Sequence, residues 1–236
     1  MEKIDVIILA GGEGTRLRSV VSDVPKPLAL IDGKPFLDIL LEQLNNFNCI
    51  GRVIMAAGYK SEMIVERYKE CSKYNFKILF SIEKKLLGTG GAIKKALPLT
   101  ETEDVLVLNG DSYIEVNIED LIMTHKKNNA NLTIVLKEVE NADRYGSVKL
   151  DKNGRIKCFE EKKVESGSVY INAGVYLFKK ELFDDVEENK VLSLEKDLFP
   201  IFIKKAVYGY ISYGKFIDIG IPETYKISDE YLKEVL

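Results

Sequence analysis

Val6-Ile7-Ile8-Leu9-Ala10 is a short unbroken apolar run, rich in β-branched residues, that stops at Gly11-Gly12. A run without polar alternation reads as a strand buried on both faces, as in a parallel sheet. A polar, glycine-containing stretch follows to about Lys26, then Leu28 to Ile31. Between Pro35 and Phe47, the residues Phe36, Leu37, Leu40, Leu41 and Leu44 recur at helical spacing, and Pro35 suits a first helical turn. The alternation continues with a strand over Arg52 to Ala57, a helix over Ser61 to Cys71 with Ser61 as its cap, and a strand over Lys77 to Ile82. A helix from Gly91 to Leu97 stops at Pro98. The apolar run Val105 to Leu108 ends at Asn109-Gly110-Asp111, and Asn117 to Asn128 reads as a helix. Strands separated by helices predict a mainly parallel sheet covered on both faces.

The second half has a different rhythm. Leu132 to Leu136, Ser147 to Leu150, Ile156 to Glu160 and Val169 to Phe178 are strand-like, and Asp151-Lys152-Asn153-Gly154 is a hairpin turn signal. Ser193 to Ile203 and Pro222 to Val235 read as helices. The expected fold is therefore α/β: a Rossmann-like mixed, mainly parallel sheet flanked by helices, with a more antiparallel second half. With no linker, low-complexity tract or repeat in 236 residues, a single domain over 1–236 is expected.

Composition removes several function classes. The formal net charge is -3, which argues against a basic face for duplex DNA or an anionic membrane. The single histidine, His125, leaves no material for a histidine-dependent triad or a histidine-rich zinc site. Cys49, Cys71 and Cys158 lie far apart without metal-ligand spacing and read as reduced thiols. No apolar run reaches membrane-spanning length, and Met1 to Asp5 carries no leader signal, so a cytoplasmic location is expected.

Three segments carry chemistry. Gly11-Gly12-Glu13-Gly14-Thr15-Arg16-Leu17 directly follows the first strand. Glycines let consecutive backbone amides approach phosphate oxygens, and Arg16 adds a cationic fork. The loop lacks the Gly-Lys-Ser/Thr ending of a P-loop, and Leu17 stands where a dinucleotide fingerprint has its third glycine. The glycines alone suit a plain strand-to-helix turn equally well. Pro25-Lys26-Pro27 holds one lysine between two fixed backbones close to that loop. Asp111 ends a buried strand, where ligands of open α/β sheets bind, and suits magnesium; an Asx-type turn is the equal alternative.

Taken together, the glycine loop and Pro25-Lys26-Pro27 resemble the signature of the sugar-1-phosphate nucleotidylyltransferases, and the resemblance runs to about Tyr225. It implies the nucleotide-diphospho-sugar transferase fold, with about 1–130 as the nucleotide half and about 131–236 as the sugar-phosphate half. It implies nucleotide contacts from Leu9, Ala10, Gly11, Gly12, Gly14, Thr15, Arg16 and Lys26, and base and ribose contacts from Gly88, Thr89 and Gly90. Asn109, Tyr145, Gly146, Glu161, Lys162 and Asn172 match the sugar-phosphate side. Asp111 and Asp218 match the metal ligands, with Mg2+ as cofactor. Phe216 and Ile221 depart from the family's usual Trp and Thr around Asp218, and Lys163 stands where a proline is common. Within the family, the chain is most similar to the members that guanylylate D-glycero-α-D-manno-heptose 1-phosphate, which implies GTP as donor and GDP-heptose as product. A uridylyltransferase and a mannose-1-phosphate guanylyltransferase stay open. So do a glycosyltransferase, which usually shows Asp-x-Asp where this chain has Asp111-Ser112-Tyr113, and a non-catalytic nucleotide-sugar sensor. A homodimer is compatible with all of this.

The implied reaction is direct displacement at the α-phosphorus, catalysed by Arg16, Lys26 and Asp111. Arg16→Ala or Lys26→Ala is expected to lower turnover by a factor on the order of 100 or more with the fold intact. Near-normal turnover of either purified variant removes that residue from the catalytic set.

Overall fold

The computed structural model describes residues 2–140, 146–160 and 168–235. In chain order the elements are β1 (Ile4–Ala10), β2 (Leu30–Ile31), β3 (Lys34–Pro35), α1 (Phe36–Asn45), β4 (Ile50–Ala57), α2 (Ser61–Tyr68), β5 (Lys77–Ile82) and α3 (Gly88–Ala96). Then come β6 (Asp104–Asn109), β7 (Ser112–Ile114), α4 (Ile118–Lys127), β8 (Leu132–Val139), β9 (Ser147–Leu150), β10 (Ile156–Glu160) and β11 (Val169–Lys179). The last are α5 (Phe199–Phe202), β12 (Val207–Ser212), β13 (Phe216–Asp218) and α6 (Pro222–Leu232).

Among the described residues, nine strands form one sheet. Its main path runs β10-β9-β11-β6-β1-β4-β5, with β8 beside β11 and β12 beside β8. β1 pairs parallel to both β4 and β6, and β5 pairs parallel to β4. β11 runs antiparallel to β6, β8 and β9, so the mixed sheet and its more antiparallel second half are as expected.

The unbroken apolar character of β1 is explained by its two packed faces. Val6 and Ile8 join Leu37, Leu40, Leu41 and Leu44 of α1 in one core, whereas Ile7 joins Ile54, Ile93 and Phe199 in the other. Alternate residues of a strand point to opposite faces, so burial on both faces requires apolar residues throughout.

Several elements differ locally from expectation. α2 stops at Tyr68, and its N-cap is Lys60 in the left-handed region (φ 51°), so Ser61 is the first helical residue and makes no cap. Pro35 caps α1 from β3 instead of lying in its first turn. The glycines ahead of Gly91 are helical, because α3 starts at Gly88. Over Ser193 to Ile203 the chain first makes a five-residue π turn, Leu194–Leu198, with the Ser193 hydroxyl accepting from the Lys196 N–H. β12 was not foreseen. Its Val-Tyr-Gly-Tyr-Ile-Ser run is mostly half-buried and breaks the alternation that marks a strand. His125 is buried, with Nδ1 2.8 Å from the Thr133 hydroxyl, and serves packing of α4 on the sheet. Among the described residues no helix is long and apolar enough to cross a membrane.

The α4 boundary was legible in the sequence. The Asn117 side chain accepts from the Asp120 N–H at 3.1 Å, satisfying a donor that the helix itself cannot pair. Asn117→Ala should cost about 1 kcal/mol of stability in urea unfolding. An unchanged midpoint would show that the cap contributes nothing.

Candidate active site

The carboxyl ends of β1 and β6 open into one cleft of about 270 Å³. Leu9, Ala10, Gly11 and Gly12 form one wall, Glu83, Leu86, Gly88, Thr89 and Ala92 a second, and Lys26, Pro27, Asn109, Gly110 and Asp111 a third. A larger open groove of about 900 Å³ lies around Val20, Leu30, Met63 and Tyr225, but none of the glycine loop, Lys26 or Asp111 reaches it. Convergent polar groups make the smaller cleft the functional candidate.

The glycine loop is shaped by what its glycines approach. A Cβ on Gly11 would lie 2.8 Å from a carboxylate oxygen of Glu83, whereas a Cβ on Gly12 would meet nothing within 4 Å. Gly14 takes the left-handed conformation (φ 61°) beside the Lys26 stem. Thr15 opens a short 3-10 turn in which Leu17 is buried as an anchor, while Arg16 is exposed and outside the cleft wall. Lys60 donates from Nζ to the carbonyls of Ser22 and Asp23, both at 2.8 Å, and so pins the chain just ahead of Pro25.

Lys26 and Asp111, 85 residues apart, meet as an ion pair with Nζ 2.7 Å from Oδ2. Gly110 makes this placement possible. Its N–H donates to the Leu9 carbonyl at 2.9 Å, and a Cβ there would lie 2.6 Å from that same oxygen. The Asp111 carbonyl accepts from the Ile219 N–H at 2.9 Å, and Asp218 pairs with Ser112 between β13 and β7. The two aspartates thus come from adjoining backbones. Asp218 Oδ1 also accepts from the Gly220 N–H. Among the described residues no group of three ligating side chains exists. The two carboxylates nevertheless fit Mg2+, which is commonly held by one or two carboxylates, substrate phosphates and water.

At the start of α3 the glycines serve a second purpose. Leu192 donates to the Leu87 carbonyl at 2.8 Å, and its own carbonyl accepts from the Gly90 N–H at 2.8 Å. A Cβ on Gly88 would lie 2.5 Å from that carbonyl oxygen, and one on Gly91 would collide with the Lys190 carbonyl. Gly88 and Thr89 line the cleft, whereas Gly90 packs against Leu192 and Leu198. The Thr89 hydroxyl donates to Glu195 at 3.1 Å and accepts from the Leu194 N–H at 2.7 Å.

In the second half of the chain, β11 breaks register between Asn172 and Tyr176. Gly174 has φ 78°, and a Cβ on it would meet the Asn109 side chain. Asn172 accepts from the Gly174 N–H and donates to the Tyr176 hydroxyl, each at 2.9 Å, so much of its amide is already engaged. Burial pushes the Tyr176 phenol well up. Asn109 Oδ1 is buried with no hydrogen-bond partner, leaving an acceptor at the cleft wall. Gly146 is exposed just before β9. Tyr145, Glu161 and Lys162 lie outside the described residues.

Sequence reading did not single out Glu83. It is only 8% exposed, yet it lines the cleft. One oxygen accepts from the Leu87 N–H at 2.7 Å, and the other faces Gly11. Burial raises its pKa, while the Leu87 N–H and Lys95 oppose the rise. An acidic residue just beyond an edge strand gives no sequence signal that separates it from a solvated charge.

The fold and cleft define a nucleotide-handling α/β protein that binds at strand ends. The chain belongs to the nucleotidyl transferase family, whose model matches residues 5–233. It is 42% identical to the D-glycero-alpha-D-manno-heptose 1-phosphate guanylyltransferase of Aneurinibacillus thermoaerophilus, over 99% of this chain and 100% of that protein. It is 40% identical to the Campylobacter jejuni protein of the same description, over 94% and 97%. The crystal structure of HddC from Yersinia pseudotuberculosis complexed with GMP-PN superposes with a TM-score of 0.85 at 38% identity, covering 96% of this chain and 98% of that one.

A raised folded-state pKa means that Glu83 contributes to stability when protonated, and that this contribution is lost as pH rises through the folded value. Glu83→Gln removes the buried charge while keeping an acceptor. It should therefore raise the melting temperature at pH 7, by a margin that shrinks towards pH 4. An equal or lower melting temperature at pH 7 would contradict an unfavourable buried carboxylate.

Proposed function

We propose that the protein transfers a nucleoside monophosphate from a triphosphate to a sugar 1-phosphate and releases pyrophosphate. GTP is the donor and D-glycero-α-D-manno-heptose 1-phosphate the acceptor, so the product is GDP-heptose, made in the cytoplasm by one catalytic domain. The observation that carries the reaction class is the meeting of the glycine loop, Lys26 and Asp111 at the ends of β1 and β6. The acceptor phosphate is already an anion, so displacement needs no general base. The protein's task is to bring two anions together and neutralise charge as the bond to pyrophosphate breaks. Gly11 and Gly12 offer backbone to the phosphates, Arg16 takes the leaving pyrophosphate, Lys26 the α-phosphate and Lys162 the acceptor phosphate. Asp111 and Asp218 would hold Mg2+, which would supply charge neutralisation on the phosphate oxygens.

Glu83 supports guanine as the base. It follows β5, and its carboxylate turns into the cleft that Lys26 and Asp111 also line, with one oxygen facing Gly11. A base placed there with its phosphates at Lys26 meets a carboxylate. Guanine alone presents two adjacent N–H donors, N1–H and the 2-amino group, to such an acceptor. Adenine, cytosine and uracil each set an acceptor beside the donor, which a carboxylate repels.

The test is pyrophosphate release with D-glycero-α-D-manno-heptose 1-phosphate, magnesium and each of ATP, GTP, CTP, UTP and dTTP. Release with GTP is expected, and Glu83→Gln should lower kcat/KM for GTP by about 100-fold or more. Release with another nucleotide alone overturns the guanine assignment. Release only with mannose 1-phosphate as acceptor overturns the heptose assignment. No release with any donor across heptose, mannose, glucose and N-acetylated sugar phosphates overturns the transferase reading in favour of a sensor.

A further inference from the structure

We propose that Lys26 closes Asp111 to divalent cations while the nucleotide site is empty, so that the cation enters with the triphosphate instead of ahead of it. Lys26 Nζ sits 2.7 Å from Asp111 Oδ2, and the lysine is the more enclosed partner, with 12% of its side chain exposed against 36%. Pro25 and Pro27 flank it, Pro27 is buried, and the lysine stem packs beside Gly14. The backbone that carries the lysine is thus held in place, and its ammonium rests on Asp111 with little of the side chain exposed. The other Asp111 oxygen faces the Ser112 hydroxyl at 3.3 Å, and one oxygen of Asp218 is engaged by the Gly220 N–H.

A bare cation approaching Asp111 meets a fixed positive charge on its principal donor. It must either displace that ammonium, leaving the charge enclosed and unpaired, or sit beside it at a repulsive distance. A triphosphate removes the conflict. Its oxygens offer the ammonium a second anion, and the carboxylate is then released to the cation that the triphosphate carries. The two positive charges exchange partners without either being left alone. The Lys26–Asp111 pair is itself neutral for the same reason.

The inference rests on the nucleotidyl-transfer reading for the identity of the arriving anion, but its test needs no turnover. Mn2+ alone is titrated into nucleotide-free protein, and bound Mn2+ is read by electron paramagnetic resonance. Lys26→Met keeps most of the stem and removes the charge. It should bind Mn2+ about tenfold or more tightly than the wild type, and Lys26→Gln should do the same if Met disturbs the packing. The double variant Lys26→Met, Asp111→Asn should lose the gain, which places it at Asp111. Equal Mn2+ affinity in the wild type and both lysine variants overturns the proposal. So does a gain that survives in the Asp111→Asn background. Absence of pyrophosphate release in the substrate panel would leave these binding results unchanged, so the two failures are distinguishable.

Discussion

The parallel pairing of β1 with β6 is the constraint on which the rest depends. Its register sets Leu9 opposite Asn109, and the next residue on β6's side, Gly110, closes against the Leu9 carbonyl. That contact fixes where Asp111 leaves the sheet relative to the glycine loop leaving β1. Lys26 can reach Asp111 only because both loops start from neighbouring strand ends. The buried faces of β1, with Val6 and Ile8 in one core and Ile7 in the other, make the register rigid.

The glycines of the site act chiefly by letting backbones approach one another. Gly110 admits Leu9, Gly88 and Gly91 admit the segment from Lys190 to Leu192, and Gly174 admits Asn109. Through the last two of these approaches, segments of the second half of the chain are brought against Gly88 and Asn109, which line the cleft. From there a chain of side chains runs from Thr89 to Glu195, then to the Tyr176 hydroxyl and Asn172. The π turn that presents Glu195 is a rare conformation often found at functional sites. It brings strand β11 and helix α3 into one hydrogen-bonded unit.

Much of this was legible in the sequence because its cause is local. An unbroken apolar run means a strand buried on two faces, and helical spacing from Phe36 to Leu44 means a helix with one apolar face. Asp151 to Gly154 contains the residues that its hairpin turn needs, down to the positive φ of Gly154. The glycine loop and Pro25-Lys26-Pro27 stood out because unusual backbone requirements leave unusual residues behind. β12 did not stand out, since its half-buried tyrosines and glycine carry no alternation. The three-residue strands β7 and β13 are too short to have a period.

The sequence by itself determined the alternation of strands and helices, and it marked out the glycine loop, Lys26 and Asp111. Each of these is written in residues that are neighbours along the chain. Only the tertiary structure decided that Lys26 rests on Asp111, that Asp218 arrives on the strand beside it, and that Glu83 turns a buried carboxylate into the cleft. Those are contacts between segments tens of residues or more apart. Their geometry is set by sheet register and by which backbones glycine allows to touch, and neither leaves a periodic trace in the sequence.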